Sequence, residues 1–178
     1  MLIFLVGYMA CGKSTIGRKL SKRLRLPLYD TDKEIVNREG ITVAEIFDSR
    51  GEEEFRYLEA SIIKELITNN ILAIISTGGG APTWGDNMAR MNDAGVVVYL
   101  RRSAENICSR ISAFGREKRP KLRGLNDSEL LEVMQKGVAE RDACYSQANL
   151  IIEADGCSDD EILEMIVAHV EEMNVQNG

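Results

Sequence analysis

The chain has 178 residues, 22 of them basic and 28 acidic, and its net charge is −6 at pH 7. That length supports one sizeable hydrophobic core and is short for two domains, while the negative charge argues against nucleic acid or an anionic membrane surface as the main partner. The apolar runs are far shorter than the roughly 20 residues of a membrane-spanning helix, so we expect a cytoplasmic protein without a membrane anchor.

The first predicted elements flank a glycine-containing loop at residues 7–15, which we call the phosphate loop. Residues 2–6 predict a short buried strand that leaves no room for a leader peptide, and apolar residues at helical spacing predict a helix over 14–25. The loop matches the pattern G-x-x-x-x-G-K-[ST], which places Lys13 on the β- and γ-phosphates and the Ser14 hydroxyl on Mg²⁺. A strand, such a loop and a helix together direct free N–H groups and a helix dipole at an anion. We therefore predict that the chain binds a nucleoside triphosphate.

Strands and helices alternate along the rest of the chain. We predict strands after residue 26 and at 71–75, 96–100 and 150–153, and helices at 32–38, 43–49, 52–69, 85–94, 103–111, 127–143 and 159–173. Two of these helices begin with capping boxes, Thr42 with Glu45 and Ser158 with Glu161. The alternation indicates an α/β fold with a five-stranded parallel sheet between helices, in which ligands bind beyond the carboxyl ends of the strands.

Two aspartates follow the second predicted strand. Asp30 and Asp32 are two residues apart and therefore point the same way on an extended backbone, so both can face the phosphate loop. One carboxylate can hold Mg²⁺, usually through water, and the other can accept a hydrogen bond from a substrate hydroxyl. Capping of the next helix by Thr31 or Asp32 is the alternative role.

Three glycines, at 78, 79 and 80, follow the third predicted strand. They expose successive backbone N–H groups and let a ligand approach closely, although a flexible turn has the same composition. The end of this strand is polar but uncharged, where many nucleotide hydrolases place a magnesium-binding aspartate. We therefore expect the metal-binding carboxylate to come from Asp30 or Asp32.

Taken in order, these motifs resemble the shikimate kinase family. The resemblance rests on the phosphate loop, Asp30-Thr31-Asp32, Gly51-Glu52-x-x-Phe55-Arg56-x-x-Glu59, Ser76-Thr77-Gly78-Gly79-Gly80, Arg119-Pro120 and Glu140-Arg141-x-x-x-Tyr145. It implies a three-layer P-loop kinase fold in one domain, 1–178, with a substrate-binding region at 32–60 and a mobile lid at 112–124. The implied activity is phosphorylation of the 3-hydroxyl of shikimate by ATP with Mg²⁺, in chorismate and aromatic amino acid biosynthesis, by a monomer without a nucleic-acid or membrane partner.

The resemblance also implies a role for each site residue. The ATP-binding set is Ala10, Cys11, Gly12, Lys13, Ser14, Thr15, Arg110 and Arg119, and the metal is held by Ser14 and, through water, by Asp30. The substrate-binding set is Asp32, Arg56, Gly78, Gly79, Gly80 and Arg141. Asp32 contacts the hydroxyl that receives the phosphoryl group, and Lys13 and Arg119 stabilise the charge on that group.

The two substrate arginines also suit their role chemically. The planar guanidinium groups of Arg56 and Arg141 can bind a carboxylate through two parallel hydrogen bonds, which a lysine cannot do. Glu59 is three residues after Arg56, on the same helix face, and can orient it. We expect Phe47 and Phe55 to be core residues, with an edge available to the substrate pocket.

A basic segment at 115–124 corresponds to the family's lid over ATP. It carries Arg119, which the family places near the transferring phosphoryl group, and glycines at both ends that suit a mobile loop. A solvated loop or an RNA-contacting patch is the alternative. No aromatic residue is interleaved with the charges, which disfavours RNA.

The phosphate loop departs from the family pattern at two positions. Ala10 replaces the usual glycine, and if this residue needs a positive φ the strain is roughly 1 kcal/mol. Cys11 replaces the usual alanine; its thiol either packs under the loop or is exposed and activated by Lys13 and the helix N-terminus. The other cysteines, at 108, 144 and 157, form no C-x-x-C pair, so we expect reduced thiols.

Other functions share parts of this pattern. A kinase for gluconate or a nucleoside monophosphate has the same loop. Neither of these activities predicts both aspartates, the triple glycine, Arg56 and Arg141 together. A catalytically silent ligand-binding relative would be expected to lose Lys13, Asp32 or Arg119, and all three are present. His169, away from every motif, is expected to be an exposed structural histidine.

Overall fold

The computed structural model describes residues 1–70, 72–111, 115–116 and 122–176, with the backbone alone at 174 and 176. Its strands are β1 (Leu2–Val6), β2 (Leu28–Asp30), β3 (Ala73–Ser76), β4 (Gly95–Arg101) and β5 (Leu150–Glu153). The α-helices in these residues are α1 (Lys13–Leu24), α2 (Thr31–Glu39), α3 (Val43–Asn69), α4 (Asn87–Ala94), α5 (Ala104–Arg110), α6 (Asp127–Tyr145) and α7 (Asp159–Gln176). A 3-10 turn occupies Ala81–Thr83.

All five strands are parallel and lie in the order β2-β3-β1-β4-β5. The central strand, β1, is buried along its whole length and pairs with β3 on one side and β4 on the other. Because the strands run the same way, the loops after β1, β2 and β3 meet at one edge of the sheet. The phosphate loop, the two aspartates and the three glycines are thereby brought together.

The sheet separates two hydrophobic clusters, since successive side chains on a strand point to opposite faces. Phe4 lies in one cluster with residues of α3 and α6, and Leu5 lies in the other with residues of α1 and α7. The arrangement is the three-layer α/β fold that the sequence predicted. No helix among the described residues has the length and apolar character needed to cross a membrane.

Local signals in the sequence located most element boundaries. Both predicted capping boxes form, with the Thr42 hydroxyl accepting from the Glu45 amide at 3.2 Å and Ser158 from Glu161 at 3.3 Å. Gly51 has φ +83°, which breaks α3 where two separate helices were predicted. A third capping box, Asn126 with Glu129, was missed although its spacing is the same. The prediction for 71 falls outside the described residues, and β3 begins two residues later.

His169 is partly buried, which corrects the expectation of full exposure. It lies on α7 between the buried residues Ile166 and Val170, so the apolar face of the helix is wide enough to include it. Its Nε2 atom has no hydrogen-bond partner among the described residues. The residue lies on the side of the sheet opposite to α3 and α6.

Candidate active site

The phosphate loop is folded around its own lysine. Lys13 begins α1 and is buried, and its Nζ donates to the carbonyl oxygens of Gly7 at 2.7 Å and Tyr8 at 2.9 Å. The ammonium group is therefore held at the centre of the loop, beside the N-terminus of the helix. Both the charge and the helix end favour an anion at this place.

A cavity of about 470 Å³ opens over this loop. It is lined by Ala10, Gly12, Lys13, Ser14, Thr15 and Arg110. All but Cys11 and Arg119 of the ATP-binding residues expected from the sequence thus surround one space. Arg110 comes from the end of α5, and its guanidinium lies so close to Gly12 that a Cβ there would be 3.3 Å from Nη2.

The two unusual loop residues take different environments. Ala10 has φ +59°, the left-handed conformation that disfavours a side chain, so the positive φ considered from the sequence does occur. Cys11 is buried, in the same cluster as Leu5 and Ile16. The thiol therefore packs under the loop, and the hypothesis of an exposed, reactive thiol is not supported, because a buried sulfur is screened from reagents.

The Ser14 hydroxyl and the Asp30 carboxylate meet beside the cavity. Ser14 Oγ donates to Asp30 Oδ2 at 3.1 Å, joining the start of α1 to the end of β2. A hydroxyl and a carboxylate are hard oxygen donors of the kind that Mg²⁺ selects, usually with phosphate and water completing its shell. No cluster of three His, Cys, Asp or Glu side chains that could hold a metal occurs in the described part of the chain. The hydroxyl and the carboxylate supply two oxygen ligands, so the pair suits a metal whose other ligands are phosphate and water.

Asp32 and Glu59 place two carboxylates next to the triple glycine. Glu59 is fully buried on α3, and a Cβ on Gly78 would collide with its Oε1 and lie 2.9 Å from Asp32 Oδ1. Burial is the main reason that the pKa of Glu59 rises to about 7; Asp32 raises this pKa further, and Arg56 and Arg141 lower it. The Oε1 atom has no hydrogen-bond partner among the described residues.

Arg56 is held in place by two glutamates. Its guanidinium pairs with Glu59, as the sequence suggested, and with Glu52 at 3.0 Å. It also lies against Gly80, where any Cβ would collide with the guanidinium group. The same helix places Phe55, buried, against the partly buried Phe47 with ring centroids 4.6 Å apart, in agreement with their expected core role.

Two backbone polar groups of the glycine loop are already hydrogen-bonded to side chains of the protein. The Gly78 amide donates to Thr31 Oγ1 at 2.8 Å, and the Gly79 carbonyl accepts from the Tyr145 hydroxyl. The Gly78 N–H expected to meet a substrate is therefore already paired. Thr31 thus binds the glycine loop. The N-cap position of α2 is Asp30, whose side chain makes no capping hydrogen bond, so neither Thr31 nor Asp32 is the N-cap residue.

Arg141 approaches the same region from α6. Its guanidinium carbon lies 4.9 Å from the centre of the Tyr8 ring, in the phosphate loop. The arginine also acts electrostatically on Glu59, as Arg56 does. The charged groups of Asp32, Arg56 and Arg141 therefore all lie near the carboxylate of Glu59. Arg119 lies outside the described residues, as do 112–114 and 117–121 of the expected lid.

Arg102 is a site residue that sequence reasoning missed. It follows β4 and is nearly buried, and it donates to the Cys11 carbonyl at 2.8 Å and to the Ala154 carbonyl at 2.6 Å. Burial, and then the charge of Arg110, lower its pKa. Arg102 thereby ties the phosphate loop to the segment after β5. Its position at the carboxyl end of a buried strand was the available signal.

Comparison with known proteins identifies the family. The family model for shikimate kinase matches residues 9–171. The chain belongs to the shikimate kinase family. Shikimate kinase from Bacteroides fragilis is 39% identical over 96% of this chain and 94% of its own length.

Solved structures agree with this assignment. The crystal structure of shikimate kinase from Bacteroides thetaiotaomicron has a TM-score of 0.86 and 36% identity, covering 97% of each chain. Shikimate kinase from Acinetobacter baumannii in complex with shikimate has a TM-score of 0.84 and 31% identity, covering 96% of this chain and 93% of its own. The fold is therefore the P-loop fold of the shikimate kinases.

Proposed function

We propose that the chain transfers the γ-phosphoryl group of ATP to the 3-hydroxyl of shikimate, forming shikimate 3-phosphate and ADP in chorismate and aromatic amino acid biosynthesis. The observation that best supports this function is that two unlike sites share one edge of the sheet. One is the cationic cavity over the phosphate loop, and the other is the cluster of Asp32 and Glu59 with two arginines. Relatives named as shikimate kinases, one solved with shikimate, support the same substrate.

The nucleotide side of the reaction belongs to the phosphate loop. On binding ATP, Lys13 exchanges the carbonyl oxygens of Gly7 and Tyr8 for phosphate oxygens, while Arg110 borders the cavity. Charge builds up on the transferring group and its bridging oxygen, so a buried ammonium stabilises the transition state more than the ground state. Arg119 is proposed to supply a second positive charge at that group.

Ser14 and Asp30 fit the Mg²⁺ that phosphoryl transfer from ATP requires. We propose that the Ser14 hydroxyl binds the ion and that Asp30 holds it through water. When bound, the ion supplies neutralisation of the β- and γ-phosphate charge.

The acceptor side belongs to Asp32 and the arginines. Asp32 accepts the hydrogen bond of the 3-hydroxyl, which orients the nucleophile and takes its proton as the bond to phosphorus forms. Arg56 and Arg141 hold the substrate carboxylate, with Glu59 fixing Arg56. Alignment of the hydroxyl with the γ-phosphorus contributes much of the rate.

We further propose that residues 1–178 form one domain that acts as a monomer on small molecules, with 32–60 binding shikimate. Segment 112–124 closes over ATP and excludes water, because an open site would hydrolyse the nucleotide.

The test is ADP release by the purified chain with Mg-ATP and, in turn, shikimate, quinate, gluconate and nucleoside monophosphates. Rapid release with shikimate and formation of its 3-phosphate are expected. Faster release with gluconate or a monophosphate would assign a different kinase. Binding of shikimate and ATP without ADP release would identify a catalytically silent relative.

A further inference from the structure

One face of helix α6 contacts both the phosphate loop and the loop that contains the three glycines 78–80. Gly137, Arg141 and Tyr145 are four apart and therefore lie on one face of the helix. Gly137 abuts the Tyr8 hydroxyl, Arg141 covers the Tyr8 ring, and the Tyr145 hydroxyl donates to the Gly79 carbonyl. This face thus connects the phosphate loop with the loop that follows β3.

Tyr8 contacts α6 through its side chain and Lys13 through its backbone carbonyl. Its side chain is buried, and its hydroxyl takes the space next to Gly137, where any Cβ would collide with it. Its backbone carbonyl accepts from Lys13 at 2.9 Å. The ring thus packs between Gly137 and Arg141 of α6.

Arg141 and Arg56 are oriented by different means. Arg56 pairs with Glu59 and Glu52, whereas Arg141 has no carboxylate within ion-pair distance among the residues that the structure describes. Its guanidinium instead lies over the Tyr8 ring, at 4.9 Å from the centroid. An aromatic face attracts a cation without accepting its N–H groups in the way a carboxylate does. Tyr145 is a second, hydrogen-bonding neighbour of Arg141. The Tyr8 ring and the Tyr145 hydroxyl together orient the guanidinium, and no carboxylate of the described residues competes with a ligand carboxylate for it.

We propose that Tyr8 is a positioning residue for substrate recognition, whose ring holds the Arg141 guanidinium in the direction required to bind the shikimate carboxylate. The proposal rests on the proposed function, in which Arg141 binds that carboxylate. Under this proposal, a residue of the phosphate loop contributes to selectivity for a substrate that carries a carboxylate.

The experiment compares Tyr8→Leu, which removes the ring, with Tyr8→Phe, which keeps it. For each full-length protein, kcat and KM are measured for shikimate, for its carboxamide and for ATP. Tyr8→Leu should raise the KM for shikimate roughly 3- to 30-fold and should reduce the preference for shikimate over the carboxamide by a similar factor. Tyr8→Phe should retain the preference, and the carboxamide KM should change little in either variant.

A packing role would give a different result. If Tyr8→Leu weakens shikimate, carboxamide and ATP equally, so that the preference is unchanged, the proposal is overturned. Tyr8→Met, whose longer and more flexible side chain can adapt to the space of the ring, replaces Tyr8→Leu in the same comparison if circular dichroism shows that the leucine variant is unfolded.

Arg141→Ala separates this inference from the proposed function. If Arg141→Ala keeps the preference for the carboxylate, the role of Arg141 itself fails. If Arg141→Ala loses the preference while Tyr8→Leu keeps it, only the positioning role of Tyr8 fails. In the double variant the two losses should not add, because both act through one contact.

Discussion

Arg56 and Glu59 form an ion pair one turn apart on α3, and the glutamate side chain is completely buried. The pair is asymmetric: Glu59 Oε2 accepts from Arg56, whereas Oε1 lies against Gly78 without a hydrogen-bond partner among the described residues. Burial of a carboxylate favours its neutral form, and Asp32 nearby has the same effect. Glu59 therefore has two consequences, orientation of Arg56 and a dependence of stability on pH.

The first prediction concerns that pH dependence. Because burial raises the pKa of Glu59 from 4.5 to about 7, the folded chain binds more protons at this residue than the unfolded chain between these values. Stability from Glu59 is present below pH 4.5 and is lost as the pH rises towards 7. We expect the free energy of unfolding of the parent, relative to Glu59→Gln, to fall by on the order of 2 kcal/mol across this range. Urea unfolding at pH 5, 6, 7 and 8 measures the difference, and a difference independent of pH would contradict the prediction.

The second prediction concerns the acceptor aspartate. Asp32→Asn should lower kcat by roughly 10²-fold or more, because an amide orients the hydroxyl poorly and cannot take its proton. Binding of an ATP analogue should be retained, since the cavity over the phosphate loop does not include Asp32. Steady-state kinetics and calorimetry check both parts. Turnover near that of the parent would remove Asp32 from the mechanism.

Several of these relationships could be predicted from sequence and others could not. The phosphate loop, the break at Gly51 and the capping boxes at Thr42 and Ser158 depend on residues close together in the chain, so local patterns predicted them. The capping box of Asn126 and Glu129 is equally local but was missed. The bond from Arg102 to the Cys11 carbonyl spans 91 residues and depends on how β4 and the phosphate loop meet. The contact of Tyr8 with Gly137 likewise follows from the packing of α6. No periodicity encodes such long-range contacts, and only the family pattern suggested that Arg141 and Arg56 share a site.

The third prediction separates the arginines by their partners. Arg56→Ala and Arg141→Ala should each weaken shikimate binding by about 2–4 kcal/mol, because a charged carboxylate is left poorly paired. Arg56→Ala should also destabilise the fold, since it leaves the buried Glu59 without its cation, whereas Arg141 has no carboxylate in ion-pair range among the described residues. Shikimate titration and thermal unfolding of both variants measure the two effects.

Arg119→Ala should affect the rate of phosphoryl transfer, whereas Arg56→Ala and Arg141→Ala should affect the affinity for shikimate. Its charge is proposed to act on the transferring phosphoryl group, so kcat should fall while the affinity for shikimate is kept. Single-turnover rates alongside shikimate titration distinguish the cases. An equal loss of shikimate affinity in all three variants, with kcat unaffected, would defeat the division of roles.

The last prediction concerns the strained alanine of the phosphate loop. Ala10 has φ +59°, where a Cβ is crowded by the backbone, and glycine avoids this cost. Ala10→Gly should therefore raise the free energy of unfolding by up to about 1 kcal/mol, the relief of strain being partly offset by the greater entropy of glycine in the unfolded chain.

Ala168, exposed on α7, is the matched control for that substitution. Ala168→Gly should lower the free energy of unfolding by about 1 kcal/mol, because glycine in a helix interior loses more conformational entropy on folding. Urea denaturation at one pH measures both variants. Opposite signs are expected, since the two alanines differ in backbone conformation and not in chemistry. A loss of stability in Ala10→Gly as large as in Ala168→Gly would show that the left-handed φ at Ala10 carries no strain.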